Sequence, residues 1–156
     1  MSLEYLPGKL GRERQVTLLR ALRAVMDEAP PLPAEFRELA RDIARHAGMT
    51  LEPDLCILNY YGADGKMGLH QDKDEEDFDA PVLSVSLGDT AIFLAGGRSR
   101  RDPTRKFELK SGDVVVLGGQ DRLAFHGIAR VLAGTSDLLP EGGRLNLTLR
   151  RVTKPG

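Results

Sequence analysis

Asn59-Tyr60-Tyr61, followed shortly by Met67-Gly68-Leu69-His70-Gln71-Asp72-Lys73-Asp74, is the stretch around which this chain is organised. In a strand, successive side chains alternate between faces, so His70 and Asp72, two residues apart, leave the same side of the backbone. An imidazole nitrogen beside a carboxylate oxygen suits a divalent ion of borderline softness once a third group closes the site. The chain has three histidines. His46 falls near the end of a helical stretch, where it can interact with the terminal carbonyls and the dipole. His126 is therefore the natural third ligand. Two histidines and a carboxylate on one face of a metal leave the opposite positions open, as in non-haem Fe(II) oxygenases.

The run Arg144-Leu145-Asn146-Leu147-Thr148-Leu149-Arg150 has the same period of two. One face is leucine; the other carries two guanidinium groups with smaller polar residues between them. An edge strand with its polar face in water is the plain alternative. Asn59 and Tyr61 share a face of their own strand, however. If both polar faces look into one barrel, they form a pocket whose arginines bind a dicarboxylate through paired, charge-assisted hydrogen bonds.

Further out, Arg12 to Glu28 reads as an amphipathic helix, with Leu18, Leu22 and Val25 at helical spacing and Leu19 and Met26 beside them. Ala29-Pro30-Pro31-Leu32-Pro33 cannot continue it, because proline lacks the backbone donor and clashes with the preceding turn. A second helix is expected over Ala34 to Ala47, with Phe36, Leu39, Ala40 and Ile43 on one stripe and Gly48 as its stop. After Gly48 the period changes to two. Strands are expected at Leu55–Tyr61, Met67–Asp72, Pro81–Leu87, Ala91–Ala95, Lys106–Lys110, Asp113–Leu117, Leu123–Ile128 and Leu145–Val152. The expected fold class is α+β, mostly β: a double-stranded β-helix, or jelly roll, of about eight strands with two N-terminal helices packed on one sheet.

At 156 residues the chain fits one domain, residues 1–156, with helical support up to 48 and the barrel beyond. Its 22 Lys and Arg nearly balance 23 Asp and Glu, so the molecule as a whole exerts little pull on a polyanion. Cys56 is the lone cysteine, which excludes an internal disulfide and agrees with a reducing compartment. No run is apolar enough to span a bilayer and no secretory pattern opens the chain, so a cytoplasmic monomer that does not engage membranes is expected.

Together, N-x-Y, then L-H-Q-D-K-D-E, then Phe125-His126-Gly127 and the run Arg144 to Arg150 resemble the AlkB family of Fe(II)- and 2-oxoglutarate-dependent dioxygenases. The resemblance covers roughly the last two-thirds of the chain. It implies that His70, Asp72 and His126 ligate Fe(II). Asn59 and Arg150 would hold the keto-acid end of 2-oxoglutarate, and Tyr61, Arg144 and Asn146 its distal carboxylate. It further implies that Asp74, on the same face as Asp72 if the strand continues, meets the substrate base. Arg100, in the basic loop Gly97 to Pro103, would approach the substrate; the plain alternative is a solvated hairpin tip. The implied reaction is oxidative dealkylation of alkylated bases in single- or double-stranded DNA or RNA, as in alkylation-damage repair. Dioxygen and 2-oxoglutarate are consumed, and succinate, CO2 and formaldehyde released.

In one respect the sequence departs from that family. Relatives that repair nucleic acid insert an aromatic-rich basic lid between the first helix and the barrel, whereas the interval here, near 29–35, is little more than Ala29 to Pro33. The lid is expected to be missing or strongly shortened, and the chain has no tryptophan to stack on a flipped base. A hydroxylase or demethylase of some protein side chain or small molecule is therefore an alternative, and a noncatalytic metal-binding jelly roll is another. Zinc hydrolysis also uses two histidines and a carboxylate, but has no need of Tyr61, Arg144 and Arg150.

Overall fold

Two antiparallel sheets face one another, and two helices cover the outside of the larger. The computed structural model describes residues 3–26 and 32–153. The elements in chain order are β1 (Leu3–Leu6), α1 (Arg12–Met26), α2 (Ala34–His46), β2 (Leu55–Tyr61), β3 (Met67–His70), β4 (Val82–Gly88), β5 (Thr90–Ala95), β6 (Arg105–Leu109), β7 (Val114–Leu117), β8 (His126–Leu132) and β9 (Arg144–Arg150). The larger sheet runs β1-β7-β4-β9-β2 and the smaller β3-β8-β5-β6. The expected jelly roll with two helices on one sheet is what the chain forms.

Alternation explains the layers. Leu83, Val85 and Leu87 of β4 and Leu147 and Leu149 of β9 pack against Leu18, Leu22, Phe36, Leu39 and Ile43 of the helices. The intervening Val82 of β4, with Val115 and Leu117 of β7, packs against Phe93, Ile128 and Val131 of the smaller sheet. The larger sheet is thus covered on both faces, and β7 is buried at every position. The polar face of β9 lies between the sheets, because its leucine face packs on the helices.

Helix α2 stops where expected. Gly48 takes φ +73°, and the amides of Gly48 and Met49 close back on the carbonyls of Arg45 and Ala44 at 3.0 and 2.7 Å. His46 ends the helix as an exposed residue. The expected continuation of α1 to Glu28 and the run Ala29–Pro31 lie outside the described residues, as do the side chains of Val25 and Met26. Only residues 27–33 separate the two helices.

Three expectations need correction. Strand β1 was not foreseen; it pairs with β7 at the sheet edge, Leu3 opposite Leu117. The strand expected at Leu123–Ile128 begins instead at His126, because Arg122 and Ala124 donate to Gly119 and Asp121 in turn geometry. The strand expected to reach Asp72 ends at His70, which leaves Asp72 and Asp74 in the connection to β4.

Strand β9 is aimed by a buried carboxylate. Asp89, 2% exposed, accepts hydrogen bonds from the amides of Gly134, Thr135, Ser136 and Gly143 at 3.0–3.3 Å, holding the segment that enters β9. Asp89→Ala leaves those amides without their acceptor and is expected to cost about 3 kcal/mol of stability in urea unfolding. A loss under about 1 kcal/mol would show that the segment holds itself.

Candidate active site

His70 and His126 are directly opposite one another in the β3–β8 pair. Their rings lie 4.4 Å apart between centroids. Each ring is turned by the same device: Nδ1 faces the carbonyl two residues earlier, Gly68 at 3.0 Å for His70 and Ala124 at 2.9 Å for His126. A carbonyl can only accept, so Nδ1 carries a proton and Nε2 is the atom that each ring turns toward a metal.

Asp72 completes the cluster from the loop. Its Oδ2 is 3.3 Å from His126 Nε2 and its Oδ1 3.7 Å from His70 Nε2. One ligand atom from each residue can be chosen so that all lie within 4.8 Å of one another, as a shared metal requires. Burial works against the charged carboxylate, but His126, Arg150 and His70 outweigh it and hold the Asp72 carboxyl below its ordinary range. The side chains of Asp72 and His126 are 5% and 11% exposed against 37% for His70, so the cluster is approached from the His70 side.

The cavity between the sheets is lined by all three residues and by Asn59, Tyr61, Arg144, Asn146 and Arg150. Register explains the convergence, since Asn59 pairs with Asn146 and Tyr61 with Arg144. Arg144 lies over the Tyr61 ring, its guanidinium carbon 5.2 Å from the centroid. Its Nη2 donates to Ser86 Oγ at 3.0 Å, while its Nε and Nη1 are buried with no partner among the described residues. Burial lowers its pKa to about 10, which still leaves it charged at neutral pH. Burial also raises the Tyr61 hydroxyl, which therefore remains a neutral phenol. Asn146 is already engaged: its amide donates to Ser84 Oγ at 2.6 Å and accepts from Thr148 Oγ1 at 2.8 Å. Arg150 Nη2 donates to Asp72 Oδ1 at 2.8 Å.

The guanidinium of Arg144, charged, dry and half unbonded among the described residues, is complementary to a carboxylate brought by a ligand. The family model of the 2OG-Fe(II) oxygenase superfamily matches residues 4–150. The chain belongs to that superfamily. Within the superfamily it resembles AlkB proteins, as its motifs imply. It is 61% identical over 100 residues to an alpha-ketoglutarate-dependent dioxygenase AlkB homolog of Caulobacter vibrioides, covering 64% of this chain and 46% of the relative. To AlkB of Escherichia coli it is 46% identical over 126 residues, covering 80% and 58% respectively. The chain thus spans about half the length of these curated relatives. The solved structure of OsALKBH1 superposes with a TM-score of 0.86 at 29% identity, covering 96% of this chain and 98% of that one.

Two expected substrate residues are not part of this cavity. Asp74 is exposed on the loop, because β3 ends at His70 and no strand face carries it inward. Arg100 is pinned beside the site: its Nη1 donates to the Leu69 carbonyl at 2.9 Å and its guanidinium lies over Phe125. The sequence reading missed Ser84 and Ser86, although their alternation with Leu83, Val85 and Leu87 places them on the cavity side. It also missed Glu75 and Arg122, which carried no signal. Glu75 sits in the charged run Lys73 to Asp77, which reads as solvated, yet it is 6% exposed.

Proposed function

We propose that this member of the oxygenase superfamily is an Fe(II)- and 2-oxoglutarate-dependent dioxygenase that dealkylates alkylated bases in DNA or RNA. The observation that carries the cofactor reading is the buried guanidinium of Arg144, with Nε and Nη1 unpaired among the described residues, in the same cavity as the His70, Asp72 and His126 cluster. The nucleic-acid substrate is supported by two further relatives, the DNA N(6)-methyladenine demethylase ALKBH1C of Arabidopsis thaliana, 36% identical over 149 residues, and the nucleic acid dioxygenase ALKBH1 of Mus musculus, 37% identical over 107 residues.

Nε2 of each histidine and the Asp72 carboxylate would hold the iron. Arg144, with the Tyr61 hydroxyl nearby, would take the distal carboxylate of 2-oxoglutarate, and Arg150 with Asn59 the keto-acid end. When bound, iron with its keto acid and dioxygen supplies the oxidising power for attack on an alkyl carbon. The protein's share is placement. Val82, Phe93, Leu117 and Ile128 wall the cavity with apolar surface, which excludes water around the paired charges and strengthens them. The more exposed His70 side is where a substrate would enter.

A second reading, oxidation of a substrate other than nucleic acid, is favoured by the short connection between α1 and α2. One assay separates the two. Protein loaded with Fe(II) and 2-oxoglutarate is offered methylated oligonucleotides, unmethylated controls and free methylated nucleosides, and succinate and formaldehyde are measured. Succinate and formaldehyde rising together with methylated oligonucleotides is the expected result. Turnover stimulated by other compounds but never by oligonucleotides selects the second reading, and no succinate under any condition overturns both.

A further inference from the structure

Asp72 owes its position to groups outside the strand ladder. It lies beyond the end of β3, and the loop that carries it runs to Val82 without regular structure. One guanidinium ties this loop at both ends: Arg122, 2% exposed, donates from Nη1 to the Asp72 carbonyl at 2.6 Å and from Nε to the Ala80 carbonyl at 2.8 Å. Glu75, from the middle of the loop, turns inward until its side chain is 1% exposed. Its Oε2 lies 3.2 Å from Arg122 Nη2, and its Oε1 accepts from Arg150 Nη1 at 2.9 Å. Arg150 then reaches Asp72 with its other nitrogen. The four side chains form a chain of alternating charge, Arg122, Glu75, Arg150 and Asp72, which Arg122 closes through the backbone carbonyl of Asp72.

We infer that Glu75 is a positioning residue for both the metal ligand and the keto-acid arginine. One edge of Arg150 is committed to Glu75, which fixes the guanidinium plane and leaves Nη2 aimed at the metal cluster. Once Asp72 turns its carboxylate to a metal, that nitrogen is the donor presented to the keto-acid carboxylate. Through Arg122 the same carboxylate braces the backbone of Asp72. A whole buried network of this kind adds little to stability over apolar replacement, so stability alone is a weak reason for building it. Groups that orient a metal ligand from behind are typically worth about 10–100-fold in affinity.

This inference rests on the proposed cofactor reading, and the test separates the two. Wild type, Glu75→Gln and Arg122→Lys are titrated with Mn(II), followed by the loss of free-ion signal, and the Mn(II) protein with 2-oxoglutarate by calorimetry. Thermal midpoints are recorded alongside. The amide of Glu75→Gln keeps the side chain's shape but removes the charge that holds Arg150, so the Kd for 2-oxoglutarate is expected to rise about tenfold or more. Arg122→Lys keeps the charge but cannot span both carbonyls, so the Kd for Mn(II) is expected to rise by a similar factor. Variants that melt earlier or unchanged while both Kd values stay within about twofold of wild type would assign Glu75 a structural role and overturn the inference alone. Wild-type protein that takes up neither Mn(II) nor 2-oxoglutarate would overturn the cofactor reading and this inference with it.

Discussion

Arg144→Met is expected to yield a protein at least as stable as wild type that no longer responds to 2-oxoglutarate. Arg144 is 1% exposed, and two of its nitrogens are buried without partners among the described residues. A buried charge so poorly compensated costs stability, and apolar replacement of buried ionic groups is often neutral or stabilising by about 1–4 kcal/mol. The sign follows from titration. Burial holds the folded-state pKa of Arg144 near 10, below that of the unfolded chain, so the protonated group opposes folding at every pH below about 10 and ceases to do so as pH rises further. Methionine removes that cost and fills similar space. It also removes the cation facing the distal carboxylate, and losing one partner of a desolvated charge pair costs about 2–5 kcal/mol, or at least 30-fold in Kd. The measurement is the thermal midpoint with and without 2-oxoglutarate, beside a Mn(II) titration that should match wild type. A variant destabilised by more than about 2 kcal/mol, or one that still binds the keto acid normally, contradicts this account of the pocket.

Gly127→Ala is expected to break the metal site from behind. The added Cβ would stand 2.6 Å from the Met67 carbonyl oxygen and 3.0 Å from the backbone of Gly68, neither of which can rotate away. Strand β3 must move off β8, and with it His70 from its partner His126. Overpacking of this kind costs about 1–3 kcal/mol. Mn(II) affinity should fall at least about 100-fold, beyond what perturbing an orienting group costs. Gly68→Ala is the natural control, because a Cβ there meets nothing within 4 Å. It should unfold in urea within about 0.5 kcal/mol of wild type and bind Mn(II) alike. Equal metal affinity in both variants would show that β3 and β8 separate without cost to the site.

How much of this could be read from the chain differed by element, for physical reasons. The alternation in β2 and β9 is sustained over whole strands, so the cavity-facing positions Asn59, Tyr61, Arg144, Asn146 and Arg150 were legible together. Asp72 was placed beside His70 for an incomplete reason: the strand ends first, and arginine contacts from β9 and the β7–β8 connection bring the carboxylate in. Those contacts join residues far apart in sequence, which no local period records. The same holds for β1, whose short run Leu3 to Leu6 becomes a strand only because β7 offers it an edge. Leu123-Ala124-Phe125 looked like strand because it is apolar, but Ala124 donates back to Asp121 in a turn, and the strand begins only at His126.

The order of strands bears on how the chain is made. The smaller sheet uses nothing beyond Leu132, so all its pairings, His70 against His126 included, join strands that precede β9 in the chain. The larger sheet cannot, because β9 separates β4 from β2 and must be threaded in last. Long-range pairings of this kind form late and slowly. Since Arg150 travels on β9, the two histidines can face one another before the arginine that steadies the Asp72 carboxylate is in place.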